Sequence, residues 1–325
     1  MYYNNIKGSG LNVSKLCLGT MTFGGQTDEE TSLRIMDFAV DNGVNFFDTA
    51  DIYTNGISEQ IVGKALEGKR ENVVIATKVS GSKTRPPKPN GSGQGRKHII
   101  ANLEDSLRSL RTDYVDLLYL HFPDPTTPVE EVIETMTGLV RSGKIRYYGL
   151  SNYSAWQCCQ FIHTAKEMNA IAPIVTESVY NLITRGLDDE MAPFLTQYKM
   201  GLSVYNPIAA GLLTGKHKGT TPNEGTRFAL EKGYAMRYWN GQNLDAVGEL
   251  SKIAEAAGMG LLEFSLVWLT NRPVVDSIIM GVSKYDQLVE NVSYFNEKKS
   301  LDAETMQKCD EIWNSIKGSY YSYHR

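Results

Sequence analysis

A chain of 325 residues with 42% hydrophobic and 22% charged residues can bury a large core, and its formal net charge of -4 gives no basic excess for nucleic acid or an anionic membrane surface. The opening residues, Met1 to Lys7, show no charged segment leading into an apolar one, and no window approaches the roughly 20 apolar residues of a membrane span, so a cytoplasmic protein is expected. Cys17, Cys158, Cys159 and Cys309 lack C-x-x-C spacing and read as reduced, mostly packing residues.

Taken in chain order, short apolar runs alternate with helical patterns about a dozen residues long. The runs are Leu16 to Leu18, Val44 to Asp48, Val73 to Lys78, Val115 to His121, Ile145 to Asn152, Ile174 to Asn181, Leu202 to Pro207 and Ser277 to Gly281. Each is apolar nearly throughout, as strands buried on both faces are. Between the first two lies a helix with both ends marked: acidic residues from Asp28 crowd its first turn, Leu33, Ile35, Met36 and Ala39 form its apolar stripe, and Gly43 closes it. Further helices are expected over Arg96 to Leu110, Val129 to Ser142, Ala155 to Met168, Asp188 to Tyr198, Leu244 to Ala256 and Leu261 to Thr270. Eight such units with no composition break predict a single (β/α)8 TIM barrel over residues 1–325. In that fold the active site is built at the C-terminal ends of the strands. The alternative, an open doubly wound sheet, would announce a G-x-G-x-x-G turn after its first strand, and the sequence has none.

Reading the strand ends in order therefore isolates candidate chemistry: Asp48 with Tyr53 just beyond, Lys78 and His121. A phenol is a poor acid at neutral pH, but a neighbouring ammonium stabilises its phenolate, and Lys78 supplies that charge. Asp48 would hold Lys78 charged and oriented, while His121 would position a substrate oxygen or relay a proton. Taken singly, Asp48 and Lys78 read sooner as an N-cap or a solvated loop charge and Tyr53 as a helix residue with its hydroxyl in water, and His121 alone is no stronger; their arrival together at the ends of the second, third and fourth strands favours a shared site.

The motifs around them are specific. They are G-T-M-T-F-G-G, F-F-D-T-A-D-I-Y, A-T-K-V, D-Y-V-D-L-L-Y-L-H-F-P-D, G-L-S-N-Y, Y-N-P-I-A-A-G-L-L-T-G-K and G-V-S-K-Y-D-Q-L-V-E-N. With these, the sequence resembles an aldo-keto reductase over nearly its whole length, and in T-F-G-G-Q-T-D-E-E and P-D-P it is similar to the branch that includes potassium-channel β subunits. The resemblance implies a catalytic tetrad of Asp48, Tyr53, Lys78 and His121, in which Tyr53 protonates a carbonyl oxygen while reduced nicotinamide delivers hydride to carbon. It implies cofactor contacts from Thr20, Met21, Gln26, Asp48, Ser151 and Asn152, and a nicotinamide stacked on Tyr205. Backbone donors along Asn206, Pro207, Ile208, Ala209, Gly211 and Leu212, with Lys216 and Arg227, would meet its phosphates.

At the last strand end, Gly281, Ser283 and Lys284 precede a helix N-terminus and offer a hydroxyl, an ammonium and free backbone donors. That combination suits a 2′-phosphate and so favours NADPH, with NADH left open. Gln287, Glu290 and Asn291 share a helical face and resemble adenine-side contacts. One position departs from the family pattern. Glu177 stands where Gln commonly helps hold the carboxamide, and an ionised carboxylate donates nothing.

Met21, Phe23, Tyr53, His121, Phe122 and Trp239 are candidates for a substrate pocket, although aromatic residues in a barrel are usually core. The run Arg85 to Gly95 reads as a flexible connection sooner than a substrate lid, and the tail from Gly318 either folds over the site or frays. No metal is expected, because His98, His163, His217 and His324 show no ligand spacing. The expected partner is a small carbonyl or alcohol substrate, with no nucleic acid or membrane and an oligomer left open. Two other readings compete: a nicotinamide-binding regulatory subunit like a channel β subunit, with little turnover, and a barrel lyase using Lys78 as a Schiff base.

Overall fold

The computed structural model describes residues 1–81, 88–217, 221–222, 226–230 and 232–318. The chain begins with a hairpin, β1 (Tyr3–Asn5) and β2 (Asn12–Ser14), and continues through β3 (Leu16–Gly19), α1 (Glu29–Asp41), β4 (Phe46–Asp48), α2 (Ile57–Ala65), β5 (Val74–Val79) and α3 (Arg96–Leu110). Then follow β6 (Val115–Leu120), α4 (Val129–Arg141), β7 (Ile145–Ser151), α5 (Ala155–Glu167), β8 (Val175–Val179), α6 (Met191–Tyr198) and β9 (Gly201–Tyr205). The remaining elements are α7 (Arg227–Leu230), α8 (Lys232–Tyr238), α9 (Gly241–Ala256), α10 (Leu261–Thr270), β10 (Ser277–Gly281), α11 (Tyr285–Ser293) and α12 (Ala303–Ile316). No single helix among the described residues is long and apolar enough to cross a membrane.

Eight parallel strands close into a barrel in the order β10, β3, β4, β5, β6, β7, β8, β9. This is the (β/α)8 arrangement expected from the eight apolar runs. Those runs are buried on both faces because the helices cover the outside and side chains fill the inside. Cys17, Phe46, Val74, Ala76, Leu117, Tyr119, Val175 and Ile279 form one interior cluster, joined by Ile6 and Val13 of the hairpin. The hairpin was not expected, since its strands read Y-N-N and N-V-S and carry no apolar run. It sits at the strand starts: a Cβ on Gly201, the first residue of β9, would lie 2.5 Å from Ile6. The C-terminal strand ends are left for chemistry.

The expected bounds of α3 and α10 hold, whereas α9 begins at Gly241, three residues before the expected Leu244, behind a cap from Asn240. The Asp28 carboxylate accepts from the Thr31 amide at 2.7 Å to start α1. Ser154 and Gln157 form a capping box ahead of α5. The expected helix from Asp188 starts later, at Met191, because Gly186–Asp188 forms a separate 3-10 turn.

By their internal contacts the residues group into two compact units. The first, Met1–Ser178, Asp189–Tyr205 and Val274–Glu297, holds the hairpin and the barrel strands, apart from Val179 at the tip of β8. The second, Val179–Asp188, Asn206–Pro273 and Lys298–Arg325, holds α7 to α10 and α12. Within that second unit the nearly all-apolar α10 is buried from Phe264 to Leu269. Beside it Asp188 gathers three partners: Arg185 at 2.8 Å, Arg272 at 2.8 Å and the Tyr180 hydroxyl at 2.5 Å.

Candidate active site

Four strand ends of the first unit bring Asp48, Lys78, His121 and Glu177 together, and the turn after β4 adds Tyr53. Register does most of this work, since Gly19 of β3 pairs Asp48 and Lys78 of β5 pairs Tyr119. After Asp48 the chain turns sharply. Thr54 and Asn55 both adopt left-handed backbone, at φ 46° and 56°, and Gly56 follows at 90°. Such non-glycine strain persists only where the surroundings hold it. Here the Thr54 hydroxyl donates to Phe23 O at 2.6 Å, and Ser58 at the start of α2 meets the Thr20 and Thr49 hydroxyls at 2.8 and 3.0 Å. The five-residue gap between Asp48 and Tyr53 is thus a braced turn.

Lys78 is fully buried, and its ammonium donates to both oxygens of Asp48, at 2.6 and 2.5 Å, to Thr49 O at 3.0 Å and to the Tyr53 hydroxyl at 3.4 Å. Burial opposes the charge on Lys78, but Asp48, Glu177 and Tyr53 outweigh it and hold the ammonium well above its ordinary value. Burial raises the Asp48 carboxyl, with Lys78 pulling against it.

The phenol of Tyr53 departs from expectation. Burial raises its pKa and the Asp48 carboxylate adds to that, outweighing the lowering by Lys78, so the net shift is upward. His121 lies edge-on to Tyr53 with ring centroids 6.1 Å apart and stacks on Phe122 at 4.1 Å. Burial, aided by Lys78, pushes its imidazole down to about 2, so the ring is neutral. Its Nδ1 has no hydrogen-bond partner among the described residues.

Glu177 was expected only as a weakened carboxamide ligand. It is 4% exposed, its Oε2 lies 3.5 Å from Lys78 Nζ, and that oxygen has no hydrogen-bond partner among the described residues. Burial, then the nearby Asp48, pushes its carboxyl up to about 8. Beside it, Asn152 takes left-handed backbone at φ 65°. Its side-chain amide donates to His121 O at 3.1 Å and to the buried Ser151 hydroxyl at 3.0 Å, while its Oδ1 accepts from Tyr205 at 2.8 Å. Ser151, Asn152 and Tyr205 therefore lie together.

Other expected contacts change character. Thr20 is fully buried, and its hydroxyl donates to Asp48 O at 3.0 Å, tying the ends of two strands together. Phe23 is fully buried as well, so its ring belongs to the packing and not to a substrate wall. Met21, Gln26 and Phe122 are exposed.

At the start of α11 the backbone donors of Ser283 and Lys284 are not free. Gln287 Oε1 accepts both, at 3.0 and 3.2 Å, which turns an expected adenine contact into a helix cap. Lys284 is exposed, as are Gly281 and Glu290, while Asn291 is buried. Glu290 accepts from the Tyr294 hydroxyl at 2.9 Å.

In the second unit, Asn206, Ala209, Ala210 and Gly211 all have positive φ. The amides of Ala209, Ala210 and Gly211 are engaged within the segment, by Asn206 O, Asn206 Oδ1 and Ile208 O. The expected row of open backbone donors is reduced accordingly, and Pro207, Ala209 and Leu212 are buried, with Ile208 partly so. Lys216 is exposed, the Arg227 guanidinium lies 4.9 Å over the Tyr234 ring, and Trp239 packs edge-on to His217 and Phe228.

Sequence reasoning missed Gln94. This residue is 2% exposed, and its amide nitrogen donates to Phe122 O at 2.5 Å and to the Tyr153 hydroxyl, while its backbone amide reaches Asp124 at 2.8 Å. It pins the end of the connection after β5; residues 82–87 of that connection and 319–325 of the tail, with His324, lie outside the described residues.

Comparison with known proteins bears on the whole chain. The model of the Aldo/keto reductase family matches residues 15–314. The chain is 38% identical over 323 residues to a rice (Oryza sativa subsp. japonica) protein named "Probable voltage-gated potassium channel subunit beta", covering 97% of each. It is 36% identical, again over 97% of each, to an Arabidopsis thaliana protein of the same name. The barrel, the strand-end residues and this match lead to one conclusion: the chain belongs to the aldo/keto reductase family.

Proposed function

We propose that the protein is an NADPH-dependent reductase. It transfers hydride reversibly between the nicotinamide and the carbonyl or alcohol carbon of an aldehyde, ketone or sugar, with Tyr53 as proton donor. The observation that carries this reading is Lys78, buried, doubly bonded to Asp48 and 3.4 Å from the Tyr53 hydroxyl. A charged donor fixed at that distance stabilises the phenolate that remains once Tyr53 has given its proton to the substrate oxygen. Asp48 keeps Lys78 charged and aimed. His121, neutral, offers a ring nitrogen to the same substrate oxygen without competing for the proton.

When bound, a nicotinamide coenzyme supplies the hydride. Its carboxamide suits Asn152, Ser151 and Glu177, and the exposed Lys284 ammonium suits the 2′-phosphate that distinguishes NADPH. The test is a panel of aldehydes, ketones and sugars assayed with NADPH and NADH by nicotinamide absorbance. Turnover that prefers NADPH supports the reading, and equal efficiency with both removes the role of Lys284.

The names of the rice and Arabidopsis relatives favour a second reading, a regulatory subunit that binds nicotinamide and turns over little. Co-purification with a channel, together with no turnover anywhere on the panel, would favour it over the first.

A further inference from the structure

Glu177 and Asp48 approach the same ammonium from opposite parts of the barrel. Asp48 ends β4 and Glu177 lies in β8, and Lys78 between them is 2.5 Å from one carboxyl and 3.5 Å from the other. All three side chains are at least nineteen-twentieths buried. One ammonium neutralises one carboxylate; a second carboxylate in the same dry space adds an uncompensated negative charge, whose usual resolution is to keep its proton.

We propose that Glu177 is a positioning residue that shares Lys78 with Asp48, works in its protonated form, and gates the site by losing that proton in alkaline solution. This rests on the reductase reading above. Protonated, the carboxyl has a donor and an acceptor, as the family's usual Gln does, so the departure at this position is functionally silent near neutrality. Ionised, it adds a negative charge that competes with Tyr53 for Lys78 and raises the phenol further, weakening proton donation.

The groups facing Glu177 are few. Lys78 comes from β5, Asp48 from β4, Tyr53 from the turn after β4, Tyr119 from β6 and Cys17 from β3. On its flanks, β7 pairs it with Ser151, which does not titrate, and β9 carries Tyr205, whose hydroxyl is engaged by Asn152. Lys78 is the one cation in that set. Burial and the neighbouring Asp48, which push the Glu177 carboxyl up to about 8, agree with the geometry.

The test is a carboxyl titration of the cofactor-free protein labelled with 13C at glutamate side chains, paired with the pH profile of kcat/KM on a simple aldehyde. The expected result is one buried carboxyl that stays protonated at pH 7, ionises near pH 8, and is missing in Glu177→Gln. The wild-type kcat/KM then falls roughly tenfold per pH unit above that midpoint, while Glu177→Gln holds its rate to higher pH. A Glu177 signal already ionised at pH 6 overturns the proposal, as does a wild-type alkaline limb that Glu177→Gln leaves in place. If Glu177→Gln does not fold, the 15N shift of Lys78 in the wild type reads the same event, and no inflection near pH 8 is the overturning result. Absence of turnover would count against the reductase reading and leave the titration standing; a failed titration with intact turnover would sink only this inference.

Discussion

Lys78 Nζ binds both carboxylate oxygens of Asp48 with neither side chain more than 3% exposed, so the ammonium 3.4 Å from the Tyr53 hydroxyl is also half of a buried structural pair. Replacing Lys78 by Met would strip Asp48 of its counter-charge. Breaking a buried pair in this way costs about 3–5 kcal/mol. Lys78→Met should therefore lower stability in urea by that amount as well as abolish carbonyl reduction, whereas Tyr53→Phe should leave stability within about 1 kcal/mol of wild type.

His121 gives a prediction on the acid side. Its pKa is depressed in the folded protein, to about 2 from an ordinary 6.5, so below pH 6.5 the unfolded chain takes up a proton that the native state refuses. The stability this represents is present above pH 6.5 and is lost as pH falls, by up to about 1.4 kcal/mol per unit. His121→Gln should flatten urea-unfolding stability between pH 6.5 and 4. An NMR titration should find no His121 transition between pH 5 and 8.

Glu177 gives the opposite sign. Its folded pKa is raised from 4.5 to about 8, so the native state holds a proton that the unfolded chain has released. Stability then declines as pH rises from about 4.5 to 8 and is level beyond. Glu177→Gln should unfold at higher urea than wild type at pH 9, with the gap closing toward pH 5.

Much of this was legible in the sequence, and what was not has physical reasons. Barrel strands announce themselves because both faces are buried, and Asp48, Lys78 and His121 stand at the ends of such runs. Helix α2 was hidden by Gly63 inside it, which is there because a Cβ would lie 2.6 Å from the backbone of Ser109 and Leu110. Helix α12 buries only Cys309 strongly and so shows little apolar stripe. The contact between Glu177 and Lys78 joins β8 to β5, which are not neighbours in the barrel order, and no periodicity along either strand encodes it. Gln287 was placed on the right helical face, but its oxygen caps the helix, a choice made by the local backbone.

In the second unit, Asp188 serves Arg185, Arg272 and Tyr180 at once, beside the indole of Trp268. Asp188→Ala leaves two guanidinium groups short of a partner and should cost about 3–5 kcal/mol, read by urea unfolding. A loss below about 1 kcal/mol would mean that Asp310, which also pairs Arg185, suffices.

In the proposed reading, the preference for NADPH rests on Lys284. Lys284→Ala should weaken NADPH binding about tenfold or more, the worth of one charge-assisted hydrogen bond, and leave NADH unchanged in a fluorescence titration.

Proton donation from Tyr53 to a substrate oxygen under the influence of Lys78 is tested by Tyr53→Phe. The measurement is carbonyl reduction at saturating NADPH, with coenzyme affinity determined alongside. The expected result is that kcat falls at least about a hundredfold while the affinity for NADPH is unchanged. A variant that reduces the same carbonyl at the wild-type rate would contradict it.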